Sequence, residues 1–180
     1  ELGDDESVLD TAPSCSASSP FTHVGSPFAI TCSGGADDKY EFSYNSASLT
    51  VDPLAVTVTA EDKGKIYGES DPELTHSVSP DLIGTDTFNG VLTRATGEDI
   101  GDYAITQGTL GLSANYTVTF VEGNLHISPL AVAVTADPQS KLYGASDPIL
   151  TYTVDPALVN GDTFSGALTR DSGEAVGPYN

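Results

Sequence analysis

The chain has 180 residues, with 26 acidic against 6 basic side chains and a formal net charge of −20 at pH 7. A surface of that sign repels nucleic acid and anionic membrane, which makes both poor partners, and it favours solubility, cations and salty surroundings. Met and Trp are absent, while Thr, Ser, Val, Ala and Gly dominate beside 11 prolines, a mixture suited to short strands and tight turns rather than to a helical core.

The first 53 residues carry the two cysteines, Cys15 and Cys32. A close, isolated pair in a Ser/Thr-rich chain predicts a disulfide and an oxidising compartment. No second Cys or His pair accompanies it, so the spacing matches no metal pattern. No apolar run approaches the ~20 residues of a membrane span, so membrane insertion of this segment is not expected. No basic and then apolar leader is visible either.

From Leu54 onward, Leu54, Val56 and Val58 alternate with Ala55, Thr57 and Thr59, the period of a half-buried strand. Further extended runs are predicted at 65–68, 74–78, 88–94, 103–109 and 116–120. Ser70-Asp71-Pro72 reads as a turn, and residues 80–84 read as one short helical turn. A turn at 122–124 leading into 125–127 predicts a hairpin.

Residues 130–180 then repeat residues 54–104 at a constant offset of 76 positions, without a gap and with 28 of 51 positions identical. LAVTVTAEDKGKIYGESDPELTHSV stands against LAVAVTADPQSKLYGASDPILTYTV, and DTFNGVLTRATGEDIGDY against DTFSGALTRDSGEAVGPY. A strict period of this size means an array of small modules. The N-terminal residues fit the same register more weakly. Ile30-Thr31 matches Ile105-Thr106, residues 39–42 match 115–118, and 49–54 match 125–130, while Gly3-Asp4 and Val8-Leu9 faintly match Gly161-Asp162 and Ala167-Leu168.

The expected organisation is therefore the end of a divergent repeat at 1–53, a whole repeat at 54–129, and the start of another at 130–180. The fold expectation is all-β, a tandem array of small sandwich-like repeats, with a β-grasp-like α+β repeat as the alternative. Pro53 and Pro129 join one repeat directly to the next, and proline permits an extended crossing but limits bending.

The Lys-x-Tyr-Gly-x-Ser-Asp-Pro block, the LAVTVTA opening, the Gly-x-Tyr block before Ile105 and the Asn-Tyr-x-Val-x-Phe block closing on Gly-x-Leu together resemble the MBG repeat, YGX type. The resemblance covers nearly the whole chain, and residues 1–53 depart from it through their inserted loop and cysteine pair. It implies an extracellular module of secreted or surface-attached bacterial proteins, often described as adhesins. It supplies no catalytic residues.

The residues themselves support no reaction. HExxH, GxSxG, Walker and GxGxxG patterns do not occur. His76 corresponds to Tyr152 and His126 to Thr50, and His23 stands alone, so no histidine is held at its position. What recurs is a framework: Lys65, Tyr67, Gly68, Asp71, Pro72, Arg94 and Tyr103 return as Lys141, Tyr143, Gly144, Asp147, Pro148, Arg170 and Tyr179. Recurrent bases in so acidic a chain imply pairing with carboxylates inside a repeat, a Lys–Asn isopeptide being the sharper alternative. Asp71 and Asp147 are read as turn residues, Asp86 and Asp162 as caps. The tyrosines are read as packing, with a sugar-stacking platform as the alternative. Asn115-Tyr116-Thr117 forms a glycosylation sequon, although Asn115 reads better as a turn residue. Weak calcium candidates are Asp37, Asp38, Asp99 and Asp102, but no DxDxDG loop is present.

The functional expectation is a non-catalytic stalk or spacer of a surface protein. Its partners are neighbouring repeats of the same or an identical chain, which include a filament built by strand complementation. The alternative is a module that binds glycans or surfaces.

Overall fold

The computed structural model describes residues 9–17 and 24–179. Among these residues the fold is all-β, with no helix, so the α+β alternative is set aside. In chain order the strands are β1 (Ser14–Ala17), β2 (Gly25–Ser33), β3 (Ala47–Val51), β4 (Leu54–Ala60), β5 (Lys63–Ile66), β6 (His76–Ser79), β7 (Thr93–Arg94), β8 (Gly101–Thr106), β9 (Tyr116–Val121), β10 (Gly123–Ser128), β11 (Ala133–Ala136) and β12 (Tyr152–Asp155). The chain divides into two compact units. The first comprises Glu1–Glu61, Leu74–Arg94 and Ile105–Gly123, the second Asp62–Glu73, Ala95–Ala104 and Asn124–Asn180. The weak sequence matches at residues 3–8, and His23, lie outside the described residues.

In the first unit, β1, β2 and β3 form an antiparallel sheet. The β1–β2 register sets Cys15 directly opposite Cys32, and a disulfide joins them. A second sheet has the order β6-β4-β9. Strand β4 buries Val56, Val58 and Ala60 and exposes Ala55 and Thr57, as its period-2 pattern requires. It pairs in parallel with β9, from Leu54↔Tyr116 to Thr59↔Val121, and antiparallel with β6. Leu92, Ile105, Leu110 and Tyr116 complete the buried apolar set of this unit. Each such side chain taken fully out of water contributes about 1.5–3 kcal/mol.

A four-stranded sheet has the order β5-β10-β8-β7. In it β10 pairs in parallel with β5, and β10 buries Leu125 and Ile127. Strands β9 and β10 are separated by Glu122 alone but do not pair with each other, so the hairpin expected at 122–124 is absent. Alternation fixes which face a strand buries and is blind to whether its partner is local or distant. Gly123 marks the passage: a Cβ there would stand 2.8 Å from the carbonyl oxygen of Ala60.

Other local expectations are also corrected. Residues 80–84 form no helical turn. They lead into a β-turn closed by the Asp86 N–H on the Ile83 carbonyl at 3.2 Å, with Gly84 at φ +61°. The extended run at 65–68 is instead β5 followed by a turn, because the Glu69 N–H bonds the Ile66 carbonyl at 3.0 Å and Gly68 takes φ +90°. The run at 88–94 shrinks to β7 and a single bridge between Asn89 and Gly111.

The second sequence copy reproduces several features of the first. Strands β11 and β12 pair from Ala133↔Asp155 to Ala136↔Tyr152, the β4–β6 register moved by 76 positions. Peptide bonds Ser79-Pro80 and Asp155-Pro156 are both cis. Gly84 is replaced by Asn160, which keeps the left-handed conformation at φ 56°. Burial differs, however. Val58 is 1% exposed and its counterpart Val134 is 49% exposed. Among the described residues β11 pairs with β12 alone.

Leu92→Ala is expected to cost about 2–5 kcal/mol, as for other buried leucines. The same change at its counterpart Leu168, already 39% exposed, should cost below about 1 kcal/mol. Denaturant melts of the two variants check the pair. Reducing the Cys15–Cys32 bridge, which spans 17 residues, should destabilise the β1–β2 region by about 3 kcal/mol on the chain-entropy estimate. Hydrogen exchange with and without a reductant reads this directly.

Candidate functional site

The recurrent Lys-x-Tyr-Gly-x-Ser-Asp-Pro block folds into a cation clamp. Lys65 lies on β5 opposite Ile127 and is only 7% exposed. The Tyr67-Gly68 turn reverses the chain and brings back Asp71, which Pro72 follows. The Lys65 ammonium donates to Asp71 Oδ1 at 2.7 Å and to Glu98 Oε2 at 2.5 Å. A buried ammonium is tolerated when its hydrogen-bonding capacity is met by opposite charge. Gly97, just before Glu98, has φ +146°, and a Cβ there would strike the ring of Tyr103 at 2.2 Å. The Tyr103 hydroxyl donates to the Asp99 carbonyl at 2.9 Å and pins the loop that carries Glu98.

The second copy builds the same clamp. Lys141 donates to Asp147 Oδ1 at 2.5 Å and to Glu174 Oε2 at 2.7 Å. Arg170 adds a fork on Asp147, Nε to Oδ2 at 3.0 Å and Nη2 to Oδ1 at 2.9 Å, and reaches Glu174 at 2.8 Å. Its Nη1 donates to the carbonyls of Asp171 and Gly173, and the guanidinium sits 5.3 Å from the Tyr179 ring centroid. The Tyr179 hydroxyl bonds the Ala175 carbonyl at 2.8 Å, as Tyr103 bonds Asp99. Arg94, the counterpart of Arg170, forms β7 with Thr93.

The charges act on one another as this geometry requires. Arg170 first, then Lys141, hold Asp147 down from 3.8 to about 2. Lys141 and then Arg170 lower Glu174. Asp71 and Glu98 keep Lys65 above its ordinary value, and Asp147 and Glu174 do the same for Lys141. The isopeptide alternative needed an asparagine amide, whereas the hydrogen-bond partners of both lysine nitrogens are carboxylates.

Asp71 and Asp147 thus accept the charge of a cation as well as shaping a turn. Asp86 is also more than a cap, because the Tyr116 hydroxyl donates to its Oδ2 at 2.6 Å and accepts the Ile83 N–H at 2.9 Å. That carboxylate raises the Tyr116 phenol above its usual value. Tyr116 follows Asn115 in an obvious strand, and no local signal ties it to a residue 30 positions away. Asn115 stands in the turn before β9, closed by the Tyr116 N–H on the Ser113 carbonyl at 3.1 Å, and its side-chain oxygen also accepts the Val24 N–H at 2.9 Å, a long-range tether.

His76 packs edge to face on Phe88 at 4.6 Å, and its counterpart Tyr152 packs on Phe164 at 5.6 Å, so an aromatic pair recurs where the imidazole does not. His126 bonds Asp102 at 2.6 Å on the surface. Asp37 receives the N–H groups of Lys39 and Asp10. No group of three or more His, Cys, Asp or Glu suited to a metal occurs among the described residues, Asp37, Asp38, Asp99 and Asp102 included.

The fold and these sites define an acidic, disulfide-bearing all-β repeat protein whose recurring side chains are framework. The model of the MBG domain (YGX type) matches residues 56–126 and 132–180, and the chain belongs to that family. Comparison with curated proteins and with solved structures gives no match. MBG domains are structural repeat domains of extracellular or surface proteins. No helix of the described residues is long and apolar enough to cross a membrane.

The clamp sets a pH window. Asp147 and Glu174 have lowered values, so their contribution is complete above their ordinary values of 3.8 and 4.5 and is lost as pH falls, to about 2 for Asp147. Lys65 and Lys141 have raised values, so theirs is complete below 10.5 and is lost at higher pH. The thermal midpoint should therefore fall on both sides of that window, as followed by circular dichroism. Arg170→Ala should move the acid limb of the 130–180 segment to higher pH.

Proposed function

We propose that this chain is a length of semi-rigid extracellular stalk in a bacterial surface or adhesin protein. It consists of a divergent repeat at 1–53, a whole repeat at 54–129 and a further repeat from 130. The observation that carries this reading is the passage from β3 to β4, where Asp52-Pro53 alone separates two strands. A joint of that length, with proline fixing φ, leaves little freedom for one repeat to swing against the next. The recurrence of the clamp and of the β4–β6 register supports a unit built to be repeated.

The alternative, a glycan-binding face, finds less support. Tyr103 and Tyr179 bond carbonyls of their own loops and Tyr67 bonds Asp162, so three of the four recurrent tyrosines have a role without a ligand, while Tyr143 stays exposed. A filament of identical chains is a further reading, supported by the β11 edge that no described strand pairs.

Small-angle scattering tests the stalk. It should return an elongated particle with a long-tailed distance distribution, and a compact globule would overturn the reading. Light scattering across a range of protein concentrations tests the filament, which requires end-to-end growth and is excluded by a constant monomer mass.

A further inference from the structure

The Tyr-Gly turn that closes β5 touches residues beyond its own repeat. The Tyr67 hydroxyl donates to Asp162 Oδ2 at 3.0 Å. Gly68, at φ +90°, lies against Val159 so closely that a Cβ would stand 2.6 Å from Val159 Cγ2 and 3.1 Å from its Cβ. Tyr67 and Gly68 belong to the 54–104 sequence copy, Val159 and Asp162 to the 130–180 copy, and all four fall within the second compact unit. That unit thus crosses the boundary the repeat period draws.

We propose that the Tyr-Gly turn is a socket that seats the Val/Ile-x-x-Asp turn of the following repeat, so that successive repeats are latched to each other as well as threaded on one chain. The seated turn is itself a recurring object. Asp162 N–H closes it on the Val159 carbonyl at 3.0 Å, and Asp86 N–H closes its counterpart on Ile83 at 3.2 Å. An apolar branched side chain opens each copy of the turn and a carboxylate ends it, which are the two groups the socket takes. The socket in turn requires glycine twice over, for the left-handed φ and for the space that Val159 fills. Elsewhere in these residues the apolar side chain of the turn and the socket tyrosine are both exposed, Ile83 at 66% and Tyr143 at 80%, while Asp86 holds one oxygen on the Tyr116 hydroxyl of its own repeat. Tyr143-Gly144 forms the same turn, closed by the Ala145 N–H on Leu142 at 3.0 Å with Gly144 at φ 82°, and nothing lies within 4 Å of a Cβ placed there. The recurrence of Tyr-Gly follows, since each copy serves the next repeat rather than the one that contains it.

This latch rests on the stalk reading and supplies its joint, and the two fail separately. The experiment is residue-resolved hydrogen exchange on the intact 180-residue chain. Tyr67→Phe removes the hydroxyl alone. It should raise exchange at the Asp162 amide about threefold to tenfold, the effect of one lost hydrogen bond. The amides of Leu125 and Ile127, inside the first repeat, should be unchanged. Gly68→Val should expose the same turn further by displacing Val159, and Tyr143→Phe should leave all of these amides alone. Unchanged exchange at Asp162 in Tyr67→Phe overturns the latch, as does an equal rise at Leu125 and Ile127, which would mean that Tyr67 serves its own repeat. An elongated particle with unchanged Asp162 exchange is a stalk without a latch, whereas a compact particle removes the stalk itself.

Discussion

The pairing demanded by the Lys65 ammonium constrains much of the repeat around it. The group stands on a short strand with almost no access to water, and a cation so placed must face opposite charge. Asp71 can reach it only if the chain turns sharply after β5, which is what Tyr67-Gly68 provides. Glu98 can reach it only if the loop before β8 is held, which is what Gly97 and Tyr103 provide by letting ring and backbone touch. A turn, a glycine, a tyrosine and two acids separated by up to 33 residues are thus consequences of one buried charge. The second copy repeats this logic with Arg170 visible on the same two carboxylates, and Asp147 shows how strongly two cations stabilise its ionised form.

Much of this was open to reading from the residues, and the rest failed for identifiable reasons. The period-2 pattern placed β4 and β9 and named their inward faces, because alternation is a local property. It misread β9 and β10 as a hairpin, because the same alternation serves a strand whether its partner is adjacent or 62 residues away, as Thr57 and Thr119 are. Recurrence of Lys65 and Arg94 implied carboxylate partners without saying which, and Asp71 was assigned to its turn because Ser-Asp-Pro explains itself locally. The Tyr116–Asp86 bond had no signal at all: each residue sits in a convincing local role, and only the fold brings them together.

The two sequence copies separate what a strand owes to its own residues from what it owes to neighbours. Residues 133–136 keep the strand conformation and the register of 57–60, so local preference and the β6-type partner suffice for those. They do not keep the burial. With a parallel strand on its other edge β4 runs for seven residues, and without one β11 runs for four. Lys141 likewise finds its carboxylates although no strand forms around it, and it remains more open than Lys65. The clamp therefore precedes the core in the order of dependence. In the second copy it forms from the turn and loop alone, and in the first the pairing of β5 with β10 accompanies its burial.

Charge distribution follows from the same device. Of the 6 basic residues, Lys65, Lys141 and Arg170 point their charge at carboxylates within their own repeats. Lys65 is buried, while Lys141 and Arg170 remain partly exposed with their charge met by the carboxylates beside them. Like-charged faces repel over roughly a Debye length, about 8 Å at physiological salt. The contacts that cross the sequence-copy boundary are one hydroxyl on a carboxylate and one valine on a glycine, neither of which needs a cation on the facing surface. Under the proposed latch, an acidic chain joins successive sequence copies without a cation between them.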